Sequence, residues 1–440
     1  MAEVPSLELA DIQSGAVRPR PTPYAASYIL LRIDDRKAGR EFLRRGGNVV
    51  ASAAHPTSPA ADTWVSIALT YQGLIAVGVP SDSLDSFAPE FKQGMAARAV
   101  QLGDVGENSP AEWEKPLGTA DVHVVLIAIA PDAQQLEVAF ERARTSHRDL
   151  TGVKVIWRQD CYAPPNEKEP FGFRDGISHP AIEGSGIPGS NPEERPLKAG
   201  EFILGYPDEM VDAPRIPQPD ILGRNGTYVA FRKLHQRVAA FRQYLKANAT
   251  SGGDEELLAA KMMGRWRSGA PLARCPLHDD PELGADPRRN NDFLYEEEDA
   301  FGYKTPAGSH IRRMNPRDAK VPVFVPIHRM IRRGTAYGPL LPDGVLEDDG
   351  ADRGLIFAFV GAHLGRQFEF VQSEWIDKGT FIGAGDASDP IFGNTDSFTI
   401  PRRPVRRRLQ GLPRFVVTRG GEYGFMPGLR ALRWLADLKT

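Results

Sequence analysis

The sequence has little cysteine, no long apolar run and almost no net charge, and each of these absences narrows the class of protein. Two cysteines, Cys161 and Cys275, stand far apart in 440 residues, too few for the disulfide framework of a small secreted protein. No apolar run reaches the ~18 residues that a membrane-spanning helix needs. Residues 1–5 include an acidic residue, and they do not begin the basic region and apolar core of a secretory signal, so no such signal is recognisable. We therefore expect a cytoplasmic protein.

The charge balance excludes partners that are held by net charge alone. The chain carries 54 basic and 57 acidic residues, for a formal net charge of −3, so no general attraction to nucleic acid or anionic lipid is expected. The basic run at residues 402–408 is interpreted as a solvated or inter-domain face, because no nucleic-acid-binding motif surrounds it. We expect neither nucleic acid nor a membrane as a partner.

Apolar periodicity predicts two α+β units. Tyr28–Ile33 is predicted as a buried strand, an amphipathic helix follows it, and this β-α-β order of elements returns in the second half of the chain. The length allows two domains of ordinary size. We predict one domain at residues 1–215 and a second at residues 216–440, each with an antiparallel sheet and helices on one face.

Two long segments lack regular pattern, at residues 161–222 and 268–320. Structureless segments of this length inside a compact protein are usually functional loops. The first contains Gly172-Phe173-Arg174-Asp175-Gly176, in which two glycines allow a tight backbone path that presents one carboxylate into a cavity. The alternative is an ordinary Asp-Gly turn with a solvated acid.

The second segment contains His310 beside several cationic or amide side chains. A haem iron needs one strong neutral nitrogen donor, and histidine is its commonest protein ligand. The two haem propionates need cations or amides, and four candidates follow within eight residues: Arg312, Arg313, Asn315 and Arg317. The alternatives are a structural histidine and a solvated basic face.

Taken in order, these segments and Ile331-Arg332-Arg333-Gly334 resemble the dye-decolourising peroxidase family. Supporting stretches are Asn225–Lys233 and Gly354–Phe357, and the match covers nearly the whole chain from about residue 8. The Gly-x-x-Asp-Gly core is weakly specific by itself, but the set in this order and spacing is specific.

The resemblance implies two ferredoxin-like domains of the dimeric α+β barrel type. The first would carry the Gly172–Gly176 segment, and the C-terminal one would hold one haem b per chain. Asp175 is expected to be the distal acid and Arg332 the distal arginine, with the adjacent Arg333 as the alternative. The remaining implied roles are these: His310 as the iron ligand, Leu355 and Phe357 over the distal haem face, Arg313 and Asn315 as further haem contacts, and Asp396 as the carboxylate partner of His310.

The implied function is a peroxidase that reduces hydrogen peroxide and oxidises organic donors, such as dyes and phenols, by one-electron steps. A different class is a non-catalytic haem-binding protein for haem handling or iron release, which has no need for a distal acid and cation. Relay of electrons through a surface aromatic residue is a further hypothesis, with four candidates: Tyr162, Trp266, Tyr337 and Trp375. For each of them the favoured alternative is packing in the core. Assembly into a homo-oligomer would fit the family, but no interface is identifiable.

The distal acid predicts an acidic pH optimum. Aspartate as a residue type has a reference pKa near ~3.9, below the ~6.5 of histidine, so it serves as a base over a wider acidic range. We expect the rate of peroxide reduction to peak below neutral pH when it is measured at saturating donor. A profile that peaks above neutrality would contradict an aspartate in this role.

Overall fold

The computed structural model describes residues 6–54, 63–211, 214–250, 254–383 and 387–439. None of the helices in these ranges is both long and apolar enough to cross a membrane. The strands are β1 Ala25–Ile33, β2 Trp64–Leu69, β3 Val124–Ala130, β4 Val153–Tyr162, β5 Thr227–Gln236, β6 Ile331–Arg332, β7 Thr335–Tyr337, β8 Gly354–Gly361, β9 Ser397–Ile400, β10 Arg407–Gln410 and β11 Val416–Met426.

The α-helices are mostly short. They are α1 Ser14–Val17, α2 Arg36–Gly46, α3 Tyr71–Ala76, α4 Ser81–Asp85, α5 Pro89–Gln93, α6 Ala133–Arg144, α7 Asp220–Gly223, α8 Val238–Asn248, α9 Asp254–Met263, α10 Pro281–Ala285, α11 Glu296–Asp299, α12 His310–Met314 and α13 Leu429–Ala436. Two π-helical segments, Leu364–Glu369 and Val371–Ile376, follow β8. Five short 3₁₀ segments complete the described helices: Ala96–Arg98, Gly106–Asn108, Ala199–Glu201, Val325–His328 and Thr380–Ile382.

Within the described residues, nine strands form one antiparallel sheet in the order β4-β1-β3-β2-β11-β5-β8-β6, with β7 also paired to β8. The first four strands come from the N-terminal half of the chain and the others from the C-terminal half. The two groups meet where β11 pairs with β2 at a single position, Phe425 opposite Leu69. The predicted antiparallel α+β architecture is therefore confirmed, and its two groups of strands are continuous through one narrow junction.

The strands form where the sequence supplies apolar residues in long enough runs. All seven residues of β3 are buried, which fits a central strand covered on both faces. β1 is buried at all but one of its nine positions. The amphipathic helix predicted after the first strand is present as α2, and the Asp35 side chain accepts a hydrogen bond from the Ala38 N–H as its N-cap.

The last helix returns to the beginning of the chain. α13 packs on α2, where Arg40 donates a hydrogen bond to the Leu438 carbonyl and Arg44 donates one to the Ala436 carbonyl. Leu432 and Leu435 are buried in the same core cluster as Phe42. The C-terminal residues thus cover the N-terminal group of strands, and the predicted division near residue 215 stays a prediction.

Candidate active site

The described chain encloses a cavity of about 260 Å³ between the C-terminal strands and the two long segments. β5 and β8 form one wall, with Leu355 opposite Leu234 and Phe357 opposite Arg232 in the register. Because alternate residues of a strand share a face, Leu355 and Phe357 both line the cavity. The π-helical segments cover another side through Phe368 and neighbouring residues.

The cavity brings together most of the residues that the sequence singled out. Its lining includes Asp175, His310, Asn315, Arg332, Leu355 and Phe357. Two predicted contacts are absent from the lining, Arg313 and Asp396. The predicted set is therefore largely one site in space, although its members come from four different parts of the chain.

His310 begins α12, and a buried carboxylate fixes its ring. Its Nδ1 lies 2.9 Å from Oδ2 of Asp389, whose side chain is fully buried. Oδ1 of Asp389 accepts hydrogen bonds from the N–H groups of Ile391 at 2.8 Å and Phe392 at 2.9 Å. Burial raises the pKa of Asp389, but the combined effect of His310, Arg313 and backbone N–H groups in lowering it is larger. The net pKa therefore lies below its ordinary value. An ionised Asp389 engages Nδ1 and leaves Nε2 as the donor nitrogen for the cavity.

The prediction of Asp396 as the partner of His310 is wrong. Asp396 is exposed, and its backbone carbonyl accepts a hydrogen bond from the Leu412 N–H. Asp389 occupies the position beside His310 instead. Spacing along an irregular segment does not determine which carboxylate reaches a distant histidine.

The expectation that Arg313 contacts the haem is also corrected, because its guanidinium donates hydrogen bonds to backbone carbonyls. The side chain is fully buried and donates to the carbonyls of Gly308, Trp375, Lys378 and Ala387. It therefore ties α12 to the π-helical segments rather than contacting a ligand. Its helical neighbour Arg312 is similarly committed, donating to Asp299 and to the Thr305 carbonyl.

Other cations take the place that was predicted for Arg313. Arg317 lines the cavity beside Asn315, and its Nη1 donates to the carbonyls of Asn291 at 2.9 Å and Phe293 at 3.1 Å. The Arg317 backbone has a φ of +54°, an uncommon conformation for a residue with a side chain. Arg329 lines the same cavity and pairs with Glu194. Arg317 was one of the open alternatives in the sequence, whereas no local pattern indicated Arg329.

The loop that carries Asp175 depends on its two glycines. Gly172 has a φ of +94° and Gly176 a φ of +76°, in the region that favours glycine. A Cβ at Gly172 would lie 2.6 Å from Nη1 of Arg267, the end of a flexible side chain that could shift, so the positive φ is what favours glycine there. The carboxylate of Asp175 lies against Gly334, where a Cβ would be 3.3 Å from Oδ2. The expectation that the glycines present this carboxylate to a cavity is confirmed.

Arg332 lies close to the Asp175 loop. Its Nη2 donates to the Ser178 carbonyl at 2.9 Å, and it lines the cavity together with Asp175. Burial lowers the pKa of Arg332, and the negative charge of Asp175 opposes that effect. Arg333 points elsewhere, with Nη2 donating to the Val17 carbonyl at 3.0 Å. Of the two adjacent arginines, Arg332 is the one in the wall of the main cavity.

Glu169 is a buried carboxyl group that the sequence analysis did not identify. It accepts hydrogen bonds from the N–H groups of Phe171 at 3.1 Å and Phe173 at 2.9 Å, and from Nε2 of Gln236 at 2.7 Å. These bonds fold the start of the Asp175 loop onto β5. Burial raises the pKa of Glu169 to about 7. A glutamate followed by a proline matches no functional motif, so a single sequence gives no reason to single out Glu169.

The raised pKa of Glu169 predicts a pH-dependent stability. An acid with a higher pKa in the folded chain stabilises the fold in its neutral form, so its contribution is complete below about pH 4.5 and is lost as the pH rises through about 7. The difference corresponds to roughly 3 kcal/mol. Relative to Glu169→Gln, the wild type should lose about that much stability between pH 4 and pH 8 in denaturant unfolding. The exposed Glu193→Gln is the control, and parallel profiles for wild type and Glu169→Gln would contradict this role.

Three of the four relay candidates lie in the interior. Trp375 has an exposed fraction of 0%, Tyr337 of 2% and Trp266 of 5%, whereas Tyr162 is 50% exposed. A bulky donor could contact only Tyr162 among them. Core packing, the alternative for each candidate, therefore holds for three of them, and a relay role for Tyr162 stays a prediction.

The residues around the main cavity fit a haem. One imidazole with a carboxylate-held Nδ1 provides a single strong nitrogen donor, the walls at Leu355 and Phe357 are apolar, and Arg317 and Asn315 offer cationic and amide donors at the margin. The described ranges contain no group of three His, Cys, Asp or Glu side chains that could hold a metal ion by themselves. A ligand set of one histidine therefore suits a metal carried by a macrocycle.

Comparison with known proteins gives consistent relatives. No protein-family model matches the chain. It is 33% identical over 417 residues to a dye-decolorizing peroxidase of Mycena epipterygia, covering 85% of this chain and 76% of the relative. A fungal DyP-type peroxidase from Auricularia auricula-judae superimposes with a TM-score of 0.84 at 28% identity, over 98% of this chain and all of that one. A dye-decolorizing peroxidase solved in complex with 2,6-dimethoxyphenol has a TM-score of 0.84 at 27% identity, with the same coverage.

Proposed function

The chain belongs to the dye-decolorizing peroxidase family, whose members are haem enzymes, and from that premise we propose that one haem b lies in the main cavity with His310 as its iron ligand. The protein is a peroxidase that reduces hydrogen peroxide and oxidises organic donors. The observation that supports the proposed site is the convergence of His310, Asp175 and Arg332 on one cavity. His310 would bind the iron through Nε2, since Nδ1 is engaged by Asp389.

The same cavity offers partners for the other parts of a haem. Leu355 and Phe357 provide apolar contacts for the macrocycle from β8, and Arg317 and Asn315 provide donors for its propionates. When bound, the haem supplies the iron that binds peroxide and carries the oxidising equivalents. The protein's own contribution is to fix the imidazole, to exclude bulk water and to place an acid and a cation.

Asp175 is proposed to move the proton during peroxide cleavage. Its carboxylate accepts a proton from one peroxide oxygen and returns that proton to the other oxygen, which leaves as water. Arg332 stabilises negative charge on the departing oxygen while the O–O bond breaks. The bond from Arg332 to the Ser178 carbonyl keeps this cation beside the loop that carries Asp175.

Phenolic compounds are the donor class that we propose first. A structural neighbour was solved with 2,6-dimethoxyphenol, and each donor would give up one electron at a time. The alternative of a non-catalytic haem carrier leaves Asp175 and Arg332 without a purpose in the cavity wall. A cytoplasmic location and a homo-oligomeric assembly stay predictions.

A haem reconstitution experiment tests the proposed site. The purified protein, loaded with haem b, is expected to show a Soret absorption band that shifts when peroxide is added and returns as a phenolic donor is consumed. Absence of a Soret band after reconstitution would overturn the haem site. A stable band with no response to peroxide would favour the non-catalytic alternative.

A further inference from the structure

A second, smaller cavity of about 120 Å³ lies on the outer side of the Asp175 loop. It shares Asp175 and Arg332 with the main cavity. Its outer rim includes the exposed residues Pro19, Thr22 and Glu167, so the space opens toward the surface. Most of its remaining lining has no part in the chemistry described above.

The lining of this smaller cavity has an excess of positive charge. Five cationic side chains line it, Arg20, Lys168, Arg174, Arg332 and Arg333, against three carboxyl groups, Glu167, Glu169 and Asp175. The formal balance is therefore +2. Burial raises the pKa of Glu169 to about 7, so in acidic solution that group is neutral and the excess increases. A space of this size with a positive lining attracts small anions.

One of these cations lacks a polar partner in the described chain, and a second has one unpaired nitrogen. Arg20 makes neither a hydrogen bond nor an ion pair with any described residue; its guanidinium lies over the Tyr24 ring at 4.2 Å. Arg333 is only 5% exposed, yet its Nε has no hydrogen-bond partner. A buried charged donor without a partner costs free energy. Arg174 is different, since it lies 3.9 Å from a carboxylate oxygen of Glu167.

His179 adds a polar group without adding charge. It lines the same cavity, and its Nδ1 has no hydrogen-bond partner. Burial and the nearby Arg332 and Arg333 hold the pKa of His179 well below its ordinary value, so the ring is neutral. The ring therefore adds no charge, and the charged donors of this cavity are those of the basic side chains, whose partner must be an acceptor.

We propose that the smaller cavity binds a small monovalent anion, of the size of a halide or a short carboxylate, between Arg20 and Arg333. The anion supplies the acceptor that the Arg20 guanidinium lacks, and the charge of Arg333 in the same lining adds to the attraction. Because the cavity adjoins Asp175 from the surface side, an occupied site hinders small molecules that approach Asp175 by this route. That kinetic consequence rests on the proposed function, whereas anion binding itself does not.

Bromide binding to the full-length protein, with and without haem, tests the site. Titration followed by bromide NMR line broadening should give saturable binding in the wild type that is weakened about tenfold in Arg20→Gln, which removes one charged donor. The exposed Arg142→Gln has the same change of charge away from the cavity and should bind bromide as the wild type does. Equal affinity of wild type and Arg20→Gln would overturn the proposal.

Crystals soaked in bromide provide the second measurement, in case Arg20→Gln does not fold. An anomalous peak between Arg20 and Arg333 is expected, and peaks found only elsewhere would overturn the proposal. In kinetics, bromide should raise the KM for peroxide with little change in kcat. Bromide binding without haem, together with a protein that does not react with peroxide, would support the anion site and contradict the proposed function.

Discussion

Replacing His310 with alanine is expected to remove haem retention and peroxidase activity together. The imidazole is the single nitrogen donor that the described cavity offers to an iron. Losing the hydrogen-bond partner of a metal-bound histidine typically costs ~10–100-fold in affinity or activity, so losing the ligand itself should cost more than about 100-fold. The measurement is the ratio of Soret to protein absorbance, with the steady-state rate of phenol oxidation.

Two companion variants separate ligand loss from misfolding. His278→Ala removes an exposed imidazole outside the cavity and should retain haem and activity. Asp389→Asn keeps His310 but weakens the hold on its Nδ1, so a partial loss of about 10–100-fold is expected. Added imidazole should restore haem binding to His310→Ala, because the cavity left by the side chain can admit it. Full haem retention in His310→Ala would show that another residue is the ligand.

Asp175→Asn should slow the reaction with peroxide by about 10²–10⁴-fold while haem binding is preserved, because the amide cannot accept and return a proton. The change keeps the size of the side chain, so the contact with Gly334 is maintained. Stopped-flow measurement of the Soret change after mixing with peroxide gives the rate directly. Asp82→Asn, at an exposed position far from the loop in sequence, is the matched control.

Arg332→Gln tests the second half of the same step. Loss of one charged donor from a developing anion typically costs ~10²–10³-fold. Residues that act as one unit are not additive, so the double variant should be little slower than Asp175→Asn alone. A double variant in which the two losses multiply would indicate that Arg332 acts independently, for example by holding the Ser178 carbonyl. An unchanged peroxide rate in Asp175→Asn would remove the carboxylate from the mechanism.

Only part of this site was predictable from local pattern. Gly172 and Gly176 were identified because a sharp backbone path needs residues without a Cβ, and the structure gives both a positive φ. Leu355 and Phe357 share a cavity wall because a strand places alternate residues on one face. Such features depend on the nearest few residues, and one sequence contains that information.

The interaction partners of the charged side chains could not be predicted in this way. Asp389 rather than Asp396 holds His310, and Arg317 rather than Arg313 lines the cavity. Arg313 and Arg317 both lie close to His310 in sequence, yet one donates to four carbonyls in the interior and the other borders the cavity. A long flexible side chain can reach many positions, and the backbone around it decides which of them is filled.

By itself, then, the sequence determined the antiparallel α+β fold and the family, because periodicity, glycine placement and a set of motifs are properties of the chain in order. It also singled out Asp175 and His310, which line one cavity and whose roles there are proposed. The tertiary structure alone decided which carboxylate fixes the histidine, which of two adjacent arginines enters the cavity, and that a second positively charged cavity adjoins Asp175. These depend on segments more than seventy residues apart meeting across α12 and the sheet. A sequence allows many contacts between distant segments, and only the packing of the whole chain selects which of them form.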